Sequence, residues 1–133
     1  MYSDLKNKII ILTGGSGFLG QQIVKAFESI KSKIIILDIK KPKNSKAIFY
    51  KCNIAKEDEV IAVSKKILKK YKKIDVLINN AASDYVPNKK KDKLSLEHLN
   101  FDIWKKDLNV GLDGAFICTK IFGSIMASKK KGV

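Results

Sequence analysis

Ile9-Ile10-Ile11-Leu12-Thr13-Gly14-Gly15-Ser16-Gly17-Phe18-Leu19-Gly20 is the stretch that decides the reading of this chain. Four consecutive apolar residues make a strand buried on both faces. The glycines that follow break it with a turn. Beyond them Ile23, Val24, Phe27 and Ile30 fall at helical spacing. A strand, a glycine-rich turn and a helix, in that order, make a site for a dinucleotide pyrophosphate. The helix N-terminus offers unpaired N–H groups and the positive end of a dipole. Glycine lets phosphates approach the backbone because no Cβ intervenes.

The same alternation continues outward. A second strand is expected over Lys33–Asp38, followed by a loop over 40–45 and a short third strand near 47–51. A helix over about 56–72 carries Val60, Ile61, Ser64, Ile67, Leu68 and Tyr71 on one stripe. Its acids, Glu57, Asp58 and Glu59, sit in the first turn and its lysines in the last, which suits the helix dipole. Ile74–Asn79 is a fourth strand, and 82–100 reads as a polar loop. A long helix follows over about 101–128, with Trp104, Leu108, Leu112, Phe116, Ile121 and Ile125 as its expected apolar positions. The fold class is therefore α/β: a Rossmann-type, doubly wound parallel sheet in the order 3-2-1-4. The ligand crevice lies outside the carboxyl ends of strands 1 and 4.

Length and composition set outer limits. The chain has 133 residues, which suggests a single domain. Its N-terminal residues have no signal-peptide character, and no run of about 18 apolar residues spans a bilayer. A cytoplasmic protein without a membrane partner is the expectation. Cys52 and Cys118 lack metal-ligand spacing, and they read as reduced core residues. The net charge of +14 invites a nucleic-acid reading. Every basic residue is lysine, however, and no aromatics interleave with the lysines, so neither guanine readout nor base stacking is provided for. A basic nucleic-acid-binding protein is thus the weakest alternative, and no specific nucleic acid is expected. A stand-alone nucleotide-binding or sensor module is another.

Three further sites carry chemistry. Asp38 ends the second strand, 18 residues after Gly20. A carboxylate there can accept from both adenosine ribose hydroxyls and repel a 2′-phosphate. That favours NAD over NADP, although Lys40 and Lys41 could neutralise such a phosphate. Asn79-Asn80-Ala81-Ala82 ends the fourth strand with small residues and amides. Asn109 lies inside the last helix with Gly111 and Gly114 after it. Together they mark a weakened segment, a kink or a close approach.

These pieces together resemble the short-chain dehydrogenase/reductase family across residues 8–133. The resemblance implies a nicotinamide cofactor and hydride transfer to or from an alcohol or carbonyl carbon. Carried over by position, Gly14, Ser16, Gly17, Phe18 and Leu19 would surround the pyrophosphate and adenosine. Asp38 would hold the adenine ribose, and Asn53 and Ile54 would flank the adenine. Asn80, Ala81 and Ala82 would line the nucleoside pocket, with Asn79 steadying the sheet. Asn109 would be the active-site asparagine and Val110 would sit beside the cofactor. No metal is implied. The substrate class is a small-molecule alcohol or ketone, and the full-length family forms homo-oligomers.

Several positions depart from the family pattern. Asn53 stands where an aspartate is usual, and Ala55 where a capping Ser or Thr is usual. The family's serine and Tyr-x-x-x-Lys pair are missing. Tyr85-Val86-Pro87-Asn88-Lys89 has the spacing, but Pro87 opposes the helix and the stretch precedes Asn109. The chain ends at Val133, where a fifth strand should begin. The expectation is an incomplete, N-terminal NAD(P)-binding domain that holds cofactor without turnover.

Overall fold

The computed structural model describes residues 3–83, 96–98 and 100–133. Four strands, β1 (Ile9–Thr13), β2 (Lys33–Asp38), β3 (Ile48–Lys51) and β4 (Val76–Ile78), alternate with α1 (Phe18–Ser29) and α2 (Glu57–Tyr71). A long helix, α3 (Phe101–Ser128), closes the described chain. All strand pairings are parallel and the order is β3-β2-β1-β4, as the sequence reading expects. Ile10 of β1 stands between Ile34 of β2 and Val76 of β4, which makes β1, like β2, an interior strand of the sheet.

The apolar runs explain why β1 and β2 lie inside. All five residues of β1 are buried, and so are Ile34 to Leu37 of β2. Their side chains alternate between two cores. Ile9, Ile11, Ile35 and Leu37 pack with Val60, Val63 and Ile67 of α2 and with Cys118, Phe122 and Met126 of α3. Leu12, Ile34 and Ile36 pack on the other face with Val24, Ile23 and Phe27 of α1. Period two in the strands thus becomes a three-layer sandwich.

Two helical faces differ from their expected stripes. In α2 the buried set is Val60, Val63, Ser64 and Ile67, and Ile61 points outward. In α3 the inward line is Gly114, Cys118, Phe122 and Met126. Phe101, Trp104, Leu108, Leu112 and Phe116 are all exposed, so Trp104 stacks on Phe101 at the surface instead of anchoring the core. The cause lies in the helix itself. Its Asn109–Asp113 and Thr119–Gly123 segments are wide π-type turns. An α-helix turns by about 100° per residue, so a four-residue repeat overshoots a full circle by about 40° each time. Wide turns absorb that excess and keep Gly114, Cys118, Phe122 and Met126 on one line.

Helix ends are fixed by few contacts. Asn53 accepts from the Ala55 N–H, and Glu59 reaches back to the Asn53 N–H while pairing with Lys56. The Asn53 backbone bond, then Lys56, hold the Glu59 carboxyl below the usual range. At the other end of α2, Lys72 takes a left-handed conformation and its carbonyl accepts from the Lys129 ammonium. Lys120 of α3 pairs with Glu57 at 2.8 Å. Asp75 caps the start of β1 by accepting from the Ile9 N–H, and it pairs with Lys73. The last residue lies along the free side of β4: Val133 N–H donates to Asp75 O and Leu77 N–H donates to Val133 O. This bond pair has the alternation of a parallel ladder.

α3 is, among the described residues, the one helix long and apolar enough to cross a membrane. Cys118, Phe122 and Met126 of this helix are buried against the sheet, while Leu108, Leu112 and Phe116 are exposed.

Candidate functional site

The glycine turn folds over the carboxyl end of β1. Gly14 has φ +68°, and a Cβ there would meet Ala81 Cα at 2.7 Å. A Cβ on Gly20 would stand 2.2 Å from Gly14 O. Both obstacles are backbone atoms, so neither can move aside as a side-chain tip could. The turn therefore lies flat between β1, the first turn of α1 and the end of β4. Gly17 N–H donates to Gly14 O, which closes it.

Thr13 supports the turn from below. Its side chain is fully buried at the end of an apolar strand. The hydroxyl donates to Ile78 O and accepts from the N–H groups of Asn80 and Ala81, at 3.0 and 3.1 Å. Asn80 Nδ2 then donates back to Thr13 O and Gly14 O. β1 and β4 are thus tied together at the floor of the crevice. Asn80, lining the expected pocket, makes these bonds between the two strands. Asn79 is exposed and donates from Nδ2 to Thr119 Oγ1, which joins β4 to α3. The sheet-steadying bonds that the resemblance implies for Asn79 are made in this structure by Asn80.

α1 presents an uncapped N-terminus. Its N-cap is Gly17, with extended backbone and no side-chain cap, and its first turn holds no acid. α2, by contrast, opens with three acids. The first N–H groups of α1 therefore carry positive dipole without an internal counter-charge. Phe18, Leu19 and Ile39 leave large apolar side chains exposed around this end, at 87%, 62% and 58%.

Asp38 comes to the same place. Its Oδ2 accepts the Ser16 N–H at 3.0 Å and its Oδ1 accepts the Lys40 N–H at 3.0 Å. Each oxygen keeps a further lone pair. Ser16 Oγ donates to Lys40 O at 2.6 Å, and Gln21 Nε2 donates to Ser16 O. Gly14, Ser16, Gly17, Asp38, Asn80 and Ala81 are thus joined through a few bonds and contacts at the carboxyl end of the sheet. Phe18 and Leu19 open α1 beside them, and Ala82 lies exposed just beyond Ala81.

Asn53 and Ile54 end the connection after β3. The Asn53 side-chain oxygen is occupied by Ala55 N–H. Ile54 is buried, and its Cδ1 would lie 2.7 Å from a Cβ on Gly114, so α3 approaches closely there. Its bulk thus belongs to the core. Asn109 opens the first wide turn of α3; its carbonyl accepts from Gly114 N–H, five residues on. Its side chain is exposed, and Val110 packs against the core. Wide turns of this kind recur at functional positions in helices. The Tyr85–Lys89 stretch lies outside the described residues.

Sequence reasoning missed two participants. The Thr13 hydroxyl is signalled by a polar residue ending a wholly apolar strand, which demands internal partners once buried. The Lys40 backbone carries no signal, because any residue supplies the same N–H and C=O. Cys52 and Cys118 are free thiols in the core. Burial, with Glu59 and Asp58 nearby, pushes Cys52 up to about 11, and burial pushes Cys118 up to about 12.

Comparison with known proteins bears on this end of the sheet. The sequence profile of a family described as short chain dehydrogenase matches residues 8–133. Sorbose reductase SOU1 of Candida albicans is 28% identical over 140 residues, covering 97% of this chain and 48% of that protein. The ligand-free aldohexose dehydrogenase of Thermoplasma acidophilum superposes with a TM-score of 0.84 at 30% identity, covering 96% of this chain and 48% of that one. NAD+-bound xylitol dehydrogenase shares the fold, with a TM-score of 0.81 at 22% identity, covering 96% of this chain and 51% of that one. The chain spans about half the length of the curated relatives it matches.

Proposed function

The chain belongs to the short-chain dehydrogenase family, and on that footing we propose that it holds the nicotinamide-dinucleotide site of an oxidoreductase acting on a small alcohol or ketone. The observation that carries the reading is one contact. Asp38 Oδ2 accepts the Ser16 N–H at 3.0 Å, which brings a carboxylate against the glycine turn one residue before the uncapped start of α1. Gly14 and Gly20 pack so closely on Ala81 and Gly14 O that neither tolerates a Cβ, and the turn they shape leaves the uncapped start of α1 to face a pyrophosphate. The ribose beyond it faces Asp38, whose remaining lone pairs accept its hydroxyls and whose charge repels a 2′-phosphate. The cofactor is therefore NAD in preference to NADP. The NAD+ in the similarly folded xylitol dehydrogenase supports a nicotinamide dinucleotide as the ligand.

When bound, the nicotinamide supplies hydride exchange at its ring carbon. The chain's own residues do the rest. The first N–H groups of α1, at Phe18 and Leu19, bind the phosphates, on a turn whose own N–H groups at Gly14 and Gly17 are spent on Leu37 O and Gly14 O. Asp38 orients the adenosine. Asn80, Ala81 and Ala82 form the floor under the nucleoside, with Asn53 and Ile54 at the adenine side. Asn109, with Val110 beside it, stands on the wide turn of α3 and contributes a proton-relay position. By sequence no Tyr-x-x-x-Lys pair follows Asn109 within these 133 residues. A lysine-assisted tyrosine is the group that would exchange the substrate proton near neutral pH. Residues 1–133 by themselves therefore bind cofactor without turnover, as one domain in the cytoplasm. The exposed line Phe101, Trp104, Leu108, Leu112 and Phe116 on α3 provides the apolar surface for a homo-oligomer.

Titration with NADH, followed by its fluorescence, tests the reading. Saturable binding that ADP-ribose displaces is expected. Absence of binding at millimolar NADH would overturn it.

A further inference from the structure

We propose that Ser16 is a positioning residue for cofactor choice, acting through Asp38 and Lys40 and not by touching the dinucleotide; this rests on the cofactor reading above. All three polar groups of Ser16 are engaged within the protein. Its N–H donates to Asp38 Oδ2 at 3.0 Å, its hydroxyl donates to Lys40 O at 2.6 Å, and its carbonyl accepts from Gln21 Nε2 at 2.9 Å. Lys40 N–H completes a closed ring by donating to Asp38 Oδ1 at 3.0 Å. The hydroxyl proton is thus committed to a backbone carbonyl and is not offered to a phosphate.

The ring spans two separate pieces of chain. Ser16 belongs to the glycine turn after β1, while Asp38 and Lys40 belong to the end of β2 and the connection beyond it. Two N–H groups hold the carboxylate, one from each piece. The Ser16 hydroxyl bond ties the Lys40 peptide to the turn independently of the carboxylate. With it in place, the Lys40 peptide stays fixed and so does its grip on Asp38. The carboxylate then presents a set charge at a set place, which favours two ribose hydroxyls and opposes a 2′-phosphate. Without it, only the carboxylate joins Lys40 to Ser16, since the other bond between the pieces, Gly14 N–H to Leu37 O, lies back at the strand. Asp38 can then turn away and the Lys40–Lys41 segment can shift, and two ammonium groups become free to neutralise a 2′-phosphate. The charge pattern of this corner is ambivalent, and the serine sets which sign the adenosine meets.

The test compares the full-length protein with Ser16→Ala and Ser16→Thr, titrating each with NADH, NADPH and ADP-ribose. The alanine variant should bind NADH and ADP-ribose about two- to tenfold more weakly, the scale of one lost hydrogen bond. NADPH binding should hold or improve, so the NADH-over-NADPH preference should narrow. Threonine keeps the hydroxyl and should restore the wild-type ratio. That ratio is insensitive to the fraction of folded protein, so a loss of stability alone does not produce the expected result. Equal weakening toward both dinucleotides, or no change in the ratio, overturns the positioning role while leaving the cofactor reading intact. Wild-type protein that binds neither dinucleotide overturns both.

Discussion

Replacing Thr13 by valine tests the floor of the crevice directly. The two side chains have nearly the same shape, so the substitution removes a hydroxyl without opening a cavity. That hydroxyl accepts from the N–H groups of Asn80 and Ala81 and donates to Ile78 O. Valine leaves two backbone donors without their partner. A stranded donor costs about 1–3 kcal/mol, and the part-buried setting of these bonds points to the lower end, roughly 2–3 kcal/mol for the pair. The added methyl returns up to about 1 kcal/mol by the usual transfer scale. A net loss of about 2 kcal/mol remains. For a domain of this size it lowers Tm by about 6–10 °C. Denaturant melts of the wild type, Thr13→Val and Thr13→Ser measure it. Serine keeps the hydroxyl and should keep NADH affinity, since Asn80 and Ala81 stay beneath Gly14. Valine should weaken NADH binding as well as stability. A valine variant as stable as the wild type, with unchanged NADH affinity, would refute the account of Thr13 as the link between β1 and β4.

Other perturbations reach other parts of the structure. Gly20→Ala places a Cβ 2.2 Å from Gly14 O and should cut NADH affinity at least tenfold; fluorescence titration at wild-type levels would contradict the close packing of the turn. Asp75 should contribute to acid sensitivity: burial opposes its ionisation, but the Ile9 N–H and the Lys73 ammonium outweigh it and hold its carboxyl low. That stabilisation is complete above the unfolded value near pH 4 and is lost as pH falls through the lowered folded value. Asp75→Asn should therefore flatten the decline of the urea midpoint between about pH 5 and pH 2, and an unchanged slope would count against it. Cys52 and Cys118 should react with a thiol reagent at pH 8 only after denaturation, because burial keeps both protonated; rapid modification of native protein would show that the core opens. Phe116→Glu on the exposed line of α3 should shift sedimentation toward monomer if that line joins copies of the chain, and an unaltered distribution would remove it from the interface.

Strand order and helix placement were legible because the signals are local and repeated. An apolar run such as Ile34-Ile35-Ile36-Leu37 can sit only where both faces are covered, and glycine or polar loops separate each element from the next. The carboxylate of Asp38 was legible for the same reason, standing at a strand end at a fixed distance from the glycine turn. The clamp joining Ser16 to Lys40 was not. It is made largely of backbone atoms, and its members are 24 residues apart. The partners of the two asparagines, Thr119 for Asn79 and Thr13 with Gly14 for Asn80, were equally hidden. Both asparagines lie beyond the end of β4, where no strand alternation fixes from sequence which of them meets Thr13.

α3 shows most clearly where pattern reading inverts. Two four-residue series run along it: Leu108, Leu112 and Phe116 in one, Gly114, Cys118, Phe122 and Met126 in the other. Size favours the first as core, since large apolar side chains gain most from burial. The structure buries the second and leaves Leu112 and Phe116 more than 60% exposed. The reason is distance. α3 lies so close to the loop after β3 that a Cβ on Gly114 would crowd Ile54, and only small residues allow that approach. Small side chains therefore mark the inner face at its tightest point. Phe122 and Met126 fit further along, and Leu112 and Phe116 are left outside, on an apolar surface of this helix that is exposed among the described residues. An outward Leu112 and Phe116 would be a liability on an isolated monomer. The second copy proposed above would remove that liability by packing on the same helix that places Asn109 on its wide turn.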